Sequence, residues 1–105
     1  MAIYYAMFHA KPSPGSEQFS SYGGAYVCCW VHALGKSEAL QLMLKAISGS
    51  SWNVVSQDEE CHEVDELWYA DNPEARELFS QAVIDGECYE FNTYPIEPQD
   101  DDIVH

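Results

Sequence analysis

The stretch AYVCCWVHA, residues 25–33, decides the fold expected for this chain, because it has the composition and length of a β-strand. Side chains alternate between the two faces of a strand. One face of this strand is small and aliphatic and comprises Ala25, Val27, Cys29, Val31 and Ala33. The other is large and partly polar and comprises Tyr26, Cys28, Trp30 and His32. The first face suits a closely packed helix. The second suits a semi-exposed interface or, equally, a second buried layer.

The segments around this strand predict further elements. Residues 2–10 have strand composition, and KPSPGSEQFSSYGG after them is typical of a loop. Ser37 can cap a helix from Glu38 to Ile47 that stops at Gly49.

The second half of the chain predicts a strand over 52–57, a turn in QDEECHEVDE and an edge strand over 61–66. A second helix follows, with Asn72 before Pro73 as its cap and Gly86 as its end. Asp71 with Glu74 offers an alternative capping box. Residues 88–94 alternate as a last strand.

This order predicts an α+β fold. From residue 25 onward it follows the ferredoxin-like β-α-β-β-α-β pattern, with an extra N-terminal strand in front and both helices on one face of the sheet. We expect one domain over residues 1–95. We expect residues 96–105 to form a flexible acidic tail, because the segment PIEPQDDDIVH contains two prolines and an acidic triplet.

Negative charge is concentrated in the second half. The formal net charge of the 105 residues is −14. Residues 1–57 carry two acids and three lysines, whereas residues 58–105 carry sixteen acids and one arginine. With four basic residues in all, direct binding of nucleic acid or of an anionic membrane is not expected. A well-solvated acidic surface would explain the charge, and so would a basic protein partner.

The N-terminus lacks the pattern of a signal peptide, and its apolar stretch is too short to span a bilayer. We therefore expect a cytoplasmic protein whose four cysteines are reduced.

No cofactor, metal or catalytic signature is present in the sequence. Cys28 and Cys29 point to opposite faces of a strand, which disfavours a shared zinc ion. A cross-strand cluster of His9, Cys28 and Cys88 stays open as a metal site. An enzyme using Cys28 with a histidine stays open as the third functional hypothesis.

The leading hypothesis is a small acidic binding or inhibitor protein that occludes a basic protein surface, as an immunity protein or a nucleic-acid mimic does. Acidic side chains and aromatic anchors would form the contact. The candidate partner-binding residues are Asp58, Glu59, Glu60, Glu63, Asp65, Glu66, Trp68, Tyr69, Glu74 and Glu77. For Trp68 and Tyr69, packing of the helix entry onto the core is an equal alternative.

The second hypothesis is a homodimeric scaffold or regulatory domain. Its self-interface would be the aromatic face formed by Tyr26, Trp30 and His32, and the acids would only solvate the outside.

Overall fold

Four antiparallel strands form the sheet in residues 2–96, the part of the chain that the structure, a computed structural model, describes. The strands are β1 (Ala2–Pro12), β2 (Gly24–Ala33), β3 (Trp52–Val64) and β4 (Glu87–Tyr94). The helices are α1 (Lys36–Gly49) and α2 (Pro73–Asp85), and two 3-10 turns lie at Glu17–Ser20 and Glu66–Tyr69. The strand order across the sheet is β3-β1-β2-β4. The α+β class is thus confirmed, while the predicted acidic tail lies outside the described residues from position 97 onward.

The structure does not confirm the ferredoxin-like arrangement, because one strand stands where two were predicted. β3 runs without a turn through Asp58–Glu60, and its register with β1 shifts opposite Tyr5–Phe8. β3 is an edge strand, so its charged side chains remain in water while its backbone pairs with β1. Bulges absorb the extra residues that the sequence suggested would form a turn.

β1 lies in the interior of the sheet rather than in front of it. It pairs with β2 along nearly its whole length, from Ala2↔Ala33 to Ala10↔Ala25, and with β3 on its other side. A strand that is paired on both edges, covered on one face by a helix and on the other in part, favours apolar residues, which is the composition of residues 2–10.

The two helices pack on opposite faces of the sheet, so the prediction that they share one face is wrong. α1 covers face 1, whose buried residues include Ala6, Phe8, Val27, Cys29 and Val31, and packs Met43 and Ile47 against them. α2 covers part of face 2, whose buried residues in this cluster are Ile3, Trp30 and Val64, and packs Ala82 against them. Both faces of the central strands are apolar, and a helix packed on each face buries apolar surface that would otherwise contact water.

The predicted start of α1 is wrong and both predicted ends of α2 are confirmed. α1 begins at Lys36, without a side-chain cap, and the Glu38 carboxylate accepts the Leu34 N–H at 3.1 Å. In α2 the Asn72 side chain accepts the Ala75 N–H at 3.2 Å. Gly86 ends that helix at a φ of 88°, in the left-handed region that glycine favours. None of the helices in residues 2–96 is long and apolar enough to cross a membrane.

Gly24 is required by a close approach between β2 and its neighbours. A β-carbon there would overlap the Tyr94 phenol and would lie 2.9 Å from the Ala10 carbonyl oxygen. We expect Gly24→Ala to lower the free energy of unfolding by about 1–3 kcal/mol, because the strands or the Tyr94 ring must shift. The control is Gly49→Ala, whose β-carbon would meet nothing within 4 Å. Urea denaturation of both variants checks this, and equal stabilities would contradict the packing described.

Candidate functional site

A cleft of about 350 Å³ opens between face 2 and the first turns of α2. α2 closes over the Trp30 end of face 2, and the cleft forms where the Glu66–Tyr69 turn leads into the helix. It is lined by Tyr5, Cys28, Trp30, Glu59, His62, Trp68, Tyr69, Asn72, Glu74, Ala75, Leu78 and Glu90. We refer to these residues as the cleft.

All four strands contribute side chains to the cleft, and the pairing register explains why they meet. Tyr5 on β1 lies opposite Trp30 on β2 and opposite His62 on β3. Cys28 on β2 lies opposite Glu90 on β4. Cross-strand partners on one face have β-carbons only about 4.5–5.5 Å apart, so these groups converge although they are far apart in the chain.

The inner wall of the cleft is a packed set of aromatic rings. The Trp30 indole N–H donates to the Tyr69 hydroxyl at 2.9 Å, and the Tyr5 ring lies 5.0 Å from the Trp30 ring. Trp30 is only 3% exposed, so the buried-layer alternative is the one that holds for this residue. Tyr26, on the same face but beyond the reach of α2, is 41% exposed.

Trp68 and Tyr69 differ in exposure, so the packing alternative predicted for both holds only for Tyr69. Tyr69 packs against Trp30 and, at 5.8 Å between rings, against Phe79, so it fastens the helix entry to the core. Trp68 is 61% exposed and lies 5.1 Å from the His62 ring at the mouth of the cleft. Tyr69 therefore forms part of the wall of the cleft, and Trp68 leaves an exposed aromatic surface at its mouth.

Two of the three carboxylates in the cleft are held by neighbouring side chains. The Tyr5 hydroxyl donates to the Glu59 carboxylate at 2.9 Å, and the Asn92 amide donates to the Glu90 carboxylate at 3.3 Å. Burial raises the pKa of Tyr5, so its phenol stays a donor at neutral pH. Glu74 lies in the first turn of α2, where the helix dipole favours negative charge.

No lysine or arginine is among the described residues that line the cleft. Arg76 is on α2 but points to the Glu66 carboxylate at 3.1 Å, and both side chains are more than half exposed. A solvent-exposed pair of this kind contributes little to stability. The cleft lining therefore carries three carboxylates and no lysine or arginine, which favours a negative potential in the cleft.

Cys28 lies at the floor of the cleft with neutral and negative neighbours. The Tyr5 hydroxyl lies 3.7 Å from its sulfur, and the Asn92 amide lies 3.8 Å from it. Burial raises the pKa of the Cys28 thiol, the Tyr5 hydrogen bond lowers it, and the charges of Glu90 and Glu59 raise it further. The net rise keeps the group as a thiol at neutral pH, the opposite of what an activated nucleophile needs.

We therefore expect Cys28 to react slowly with iodoacetamide at pH 7.5, more slowly than a cysteine in an unstructured peptide, whose pKa is about 8.5. The alkylation rate should rise only when the pH exceeds the pKa of an ordinary thiol, because the thiolate is the form that reacts. Cys29 and Cys61 are buried and serve as internal controls that should stay unmodified until the protein unfolds. Mass mapping of the alkylated sites checks this. Fast labelling of Cys28 at neutral pH would contradict it and would favour the hypothesis of a cysteine enzyme.

The hypothesis of a His9, Cys28 and Cys88 metal site finds no support within residues 2–96, where no group of three or more His, Cys, Asp or Glu side chains is arranged to hold a metal ion. His9 shares a hydrogen bond of 2.7 Å with the Tyr94 hydroxyl and stacks on Tyr26 at 4.8 Å. All four cysteines are free.

The structure brings four of the predicted partner-binding residues into the cleft, Glu59, Trp68, Tyr69 and Glu74. Glu77 lines a shallow groove that continues from the cleft and shares Glu74 and Glu90 with it. Only five of the ten predicted partner-binding residues therefore lie in the cleft or in the adjoining groove.

The remaining predicted acids lie elsewhere. Asp65 caps the 3-10 turn by accepting the Leu67 N–H at 2.9 Å, and Glu66 pairs with Arg76. Glu63 lies opposite Tyr4, whose side chain packs against face 1. Asp58 accepts a hydrogen bond from Ser56, and Glu60 is exposed on β3. His32, from the other predicted set, is partly buried beyond the cleft.

The predicted binding set does not include Tyr5, His62, Asn72 or Glu90. Cys28 is predicted as part of the large face of β2 and as a candidate nucleophile or metal ligand. Alternation in residues 88–94 does put Cys88, Glu90 and Asn92 on one face, which is a usable signal. The pairing of β4 with β2 decides that this face is the one shared with Cys28.

The chain matches no protein-family model, and comparisons with curated proteins and with solved structures return no match.

Proposed function

We propose that this protein is a small binding protein that recognises a basic protein surface and blocks it. The observation that carries the proposal is the cleft, in which three carboxylates and an exposed tryptophan meet without a lysine or arginine among its described lining residues. Charge complementarity would steer a basic partner toward this side of the molecule.

The binding energy would come from two sources. Trp68 presents an exposed aromatic surface beside the acidic groups, and tryptophan is among the residues that most often dominate binding energy at interfaces. The carboxylates of the cleft and of the adjoining groove would oppose lysine and arginine side chains. The free thiols fit a reducing compartment such as the cytoplasm, where the partner would be met.

The proposal is tested by affinity capture on the immobilised protein, with elution by a salt gradient. The expected result is retention of a basic protein, with an association rate that falls steeply as salt rises, because screening weakens attraction between separated charges. The association rate of the purified partner is measured at about 20 and 300 mM salt, that is, below and above the physiological ionic strength of about 150 mM. Capture only of acidic or neutral proteins, or a rate that salt leaves unchanged, contradicts the proposal.

The homodimeric scaffold is the alternative proposal. Tyr26 is exposed and stacked on His9, which leaves an aromatic patch on the part of face 2 that α2 does not cover. Burial of Trp30 removes the largest residue of the interface that this alternative needs. Sedimentation equilibrium separates the two proposals, since a dimer that Tyr26→Ala dissociates would favour the alternative.

A further inference from the structure

The cleft is large enough for a single side chain of a partner and small for a ligand pocket. Its volume of about 350 Å³ is near the lower end of the range of ligand pockets, which begins at roughly 300 Å³. Its opening is flanked by Trp68, which is mostly exposed, and by His62, which is partly buried. A partner side chain could therefore enter without a rearrangement of the sheet.

The cleft combines flat aromatic rings with carboxylates that are held in place. The His62 and Trp68 rings lie 5.1 Å apart and are inclined by 49°, and the Tyr69 ring lies deeper, against Trp30. The Tyr5 hydroxyl orients Glu59 by a 2.9 Å hydrogen bond. Aromatic faces attract cations, and an oriented carboxylate can accept two parallel N–H bonds from a guanidinium group.

We propose that the cleft is a socket for a single arginine side chain of the partner protein, with its guanidinium stacked on Trp68 and paired with Glu59. The inference rests on the proposed function and names the group that the site recognises. Arginine is favoured over lysine because its planar cation stacks on rings and pairs with a carboxylate through two donors, while lysine offers a compact, strongly hydrated charge.

The probe is acetyl-L-arginine amide, titrated into the ¹⁵N-labelled full chain at pH 7.5 and low salt, with the indole N–H signals of Trp30, Trp52 and Trp68 as reporters. We expect saturable shifts of Trp68, with a dissociation constant on the order of 1 mM, as befits one side chain. Acetyl-L-lysine amide should bind more weakly. Acetyl-L-citrulline amide, which has nearly the same shape without the charge, should not bind.

Matched variants locate the site. Glu59→Gln should weaken binding of the arginine probe about tenfold, because it removes a charged hydrogen-bond acceptor. Glu63→Gln changes the same charge on the same strand, at a position opposite Tyr4 of face 1, and should leave binding unchanged. Trp68→Ala should weaken binding about threefold, the effect of an exposed cation–π contact.

Each outcome bears on one proposal or on both. Equal binding of the citrulline and arginine probes, equal effects of Glu59→Gln and Glu63→Gln, or no Trp68 shift overturns the arginine socket. If a captured basic partner binds Glu59→Gln and Trp68→Ala as tightly as the original protein, the proposed function stands and the socket fails. If the probe binds as expected but no basic protein is captured, the socket stands as a site for a small guanidinium ligand and the proposed function fails.

Discussion

Replacing Trp30 by alanine is expected to lower the free energy of unfolding by about 3–5 kcal/mol. Trp30 is 3% exposed and packs with Ile3 and Val64 of the sheet and with Ala82 of α2. Its loss removes buried apolar surface, leaves a cavity that the sheet cannot close, and deprives the Tyr69 hydroxyl of its donor. Because the whole stability of such a domain is about 5–15 kcal/mol, we expect the variant to retain only a fraction of it.

The matched control is Trp68→Ala, which removes the same side chain from the exposed rim of the cleft. We expect it to change the free energy of unfolding by less than about 0.5 kcal/mol. Guanidinium denaturation followed by circular dichroism measures both variants. Similar losses for the two would contradict the division of roles between a buried and an exposed tryptophan.

If Trp30→Ala does not fold, Trp30→Phe keeps the comparison measurable. Phenylalanine retains most of the buried ring but has no indole N–H, so the Tyr69 hydroxyl loses its partner. The expected loss is about 1–3 kcal/mol, the cost of a missing hydrogen bond together with reduced packing.

The second large effect is expected from neutralising the cleft. The triple variant Glu59→Gln, Glu74→Gln, Glu90→Gln should slow association with the basic partner by at least about tenfold at low salt, because electrostatic steering contributes roughly 10–1000-fold to such rates. The same variant should be slightly more stable than the original, since repulsion among carboxylates that no lysine or arginine of the cleft lining neutralises is relieved, while glutamine can still accept the Tyr5 and Asn92 hydrogen bonds.

The control for this prediction is Glu17→Gln, Glu38→Gln, Glu63→Gln, which has the same net charge but leaves the cleft intact. Stopped-flow association rates and thermal unfolding are measured for both triple variants. If both slow association equally, total charge rather than the cleft governs recognition. Opposite signs for stability and association in the first variant would identify the cleft carboxylates as groups kept for binding at a cost in stability.

Local sequence signals predict most of the elements in their order along the chain and several of the residues at which they begin or end. Alternation predicts β2 at 25–33, and the structure has it at Gly24–Ala33. Asn72 before Pro73 and Gly86 predict the two ends of α2, because an amide cap, a proline in the first turn and a left-handed glycine act on the nearest few residues.

Tertiary pairing decided the rest of the fold. A cluster of acids at 58–60 looks like a turn when the chain is considered alone, yet it lies within β3 because an edge strand can pair on one side and solvate its side chains on the other. Periodicity shows that β2 has two unlike faces but not what covers each face. Only packing reveals that α1 covers one and α2 part of the other.

The cleft is the feature that the sequence by itself determined least. Residue types along 58–77 already indicate acidic and aromatic groups suited to a basic partner, and Glu59, Trp68, Tyr69 and Glu74 are among them. These residues lie beside Tyr5, near one end of the chain, and Glu90, near the other, only because the strands pair in the order β3-β1-β2-β4. Local propensity acts over a few residues, whereas a site built from four strands exists only once their hydrogen bonds set the register.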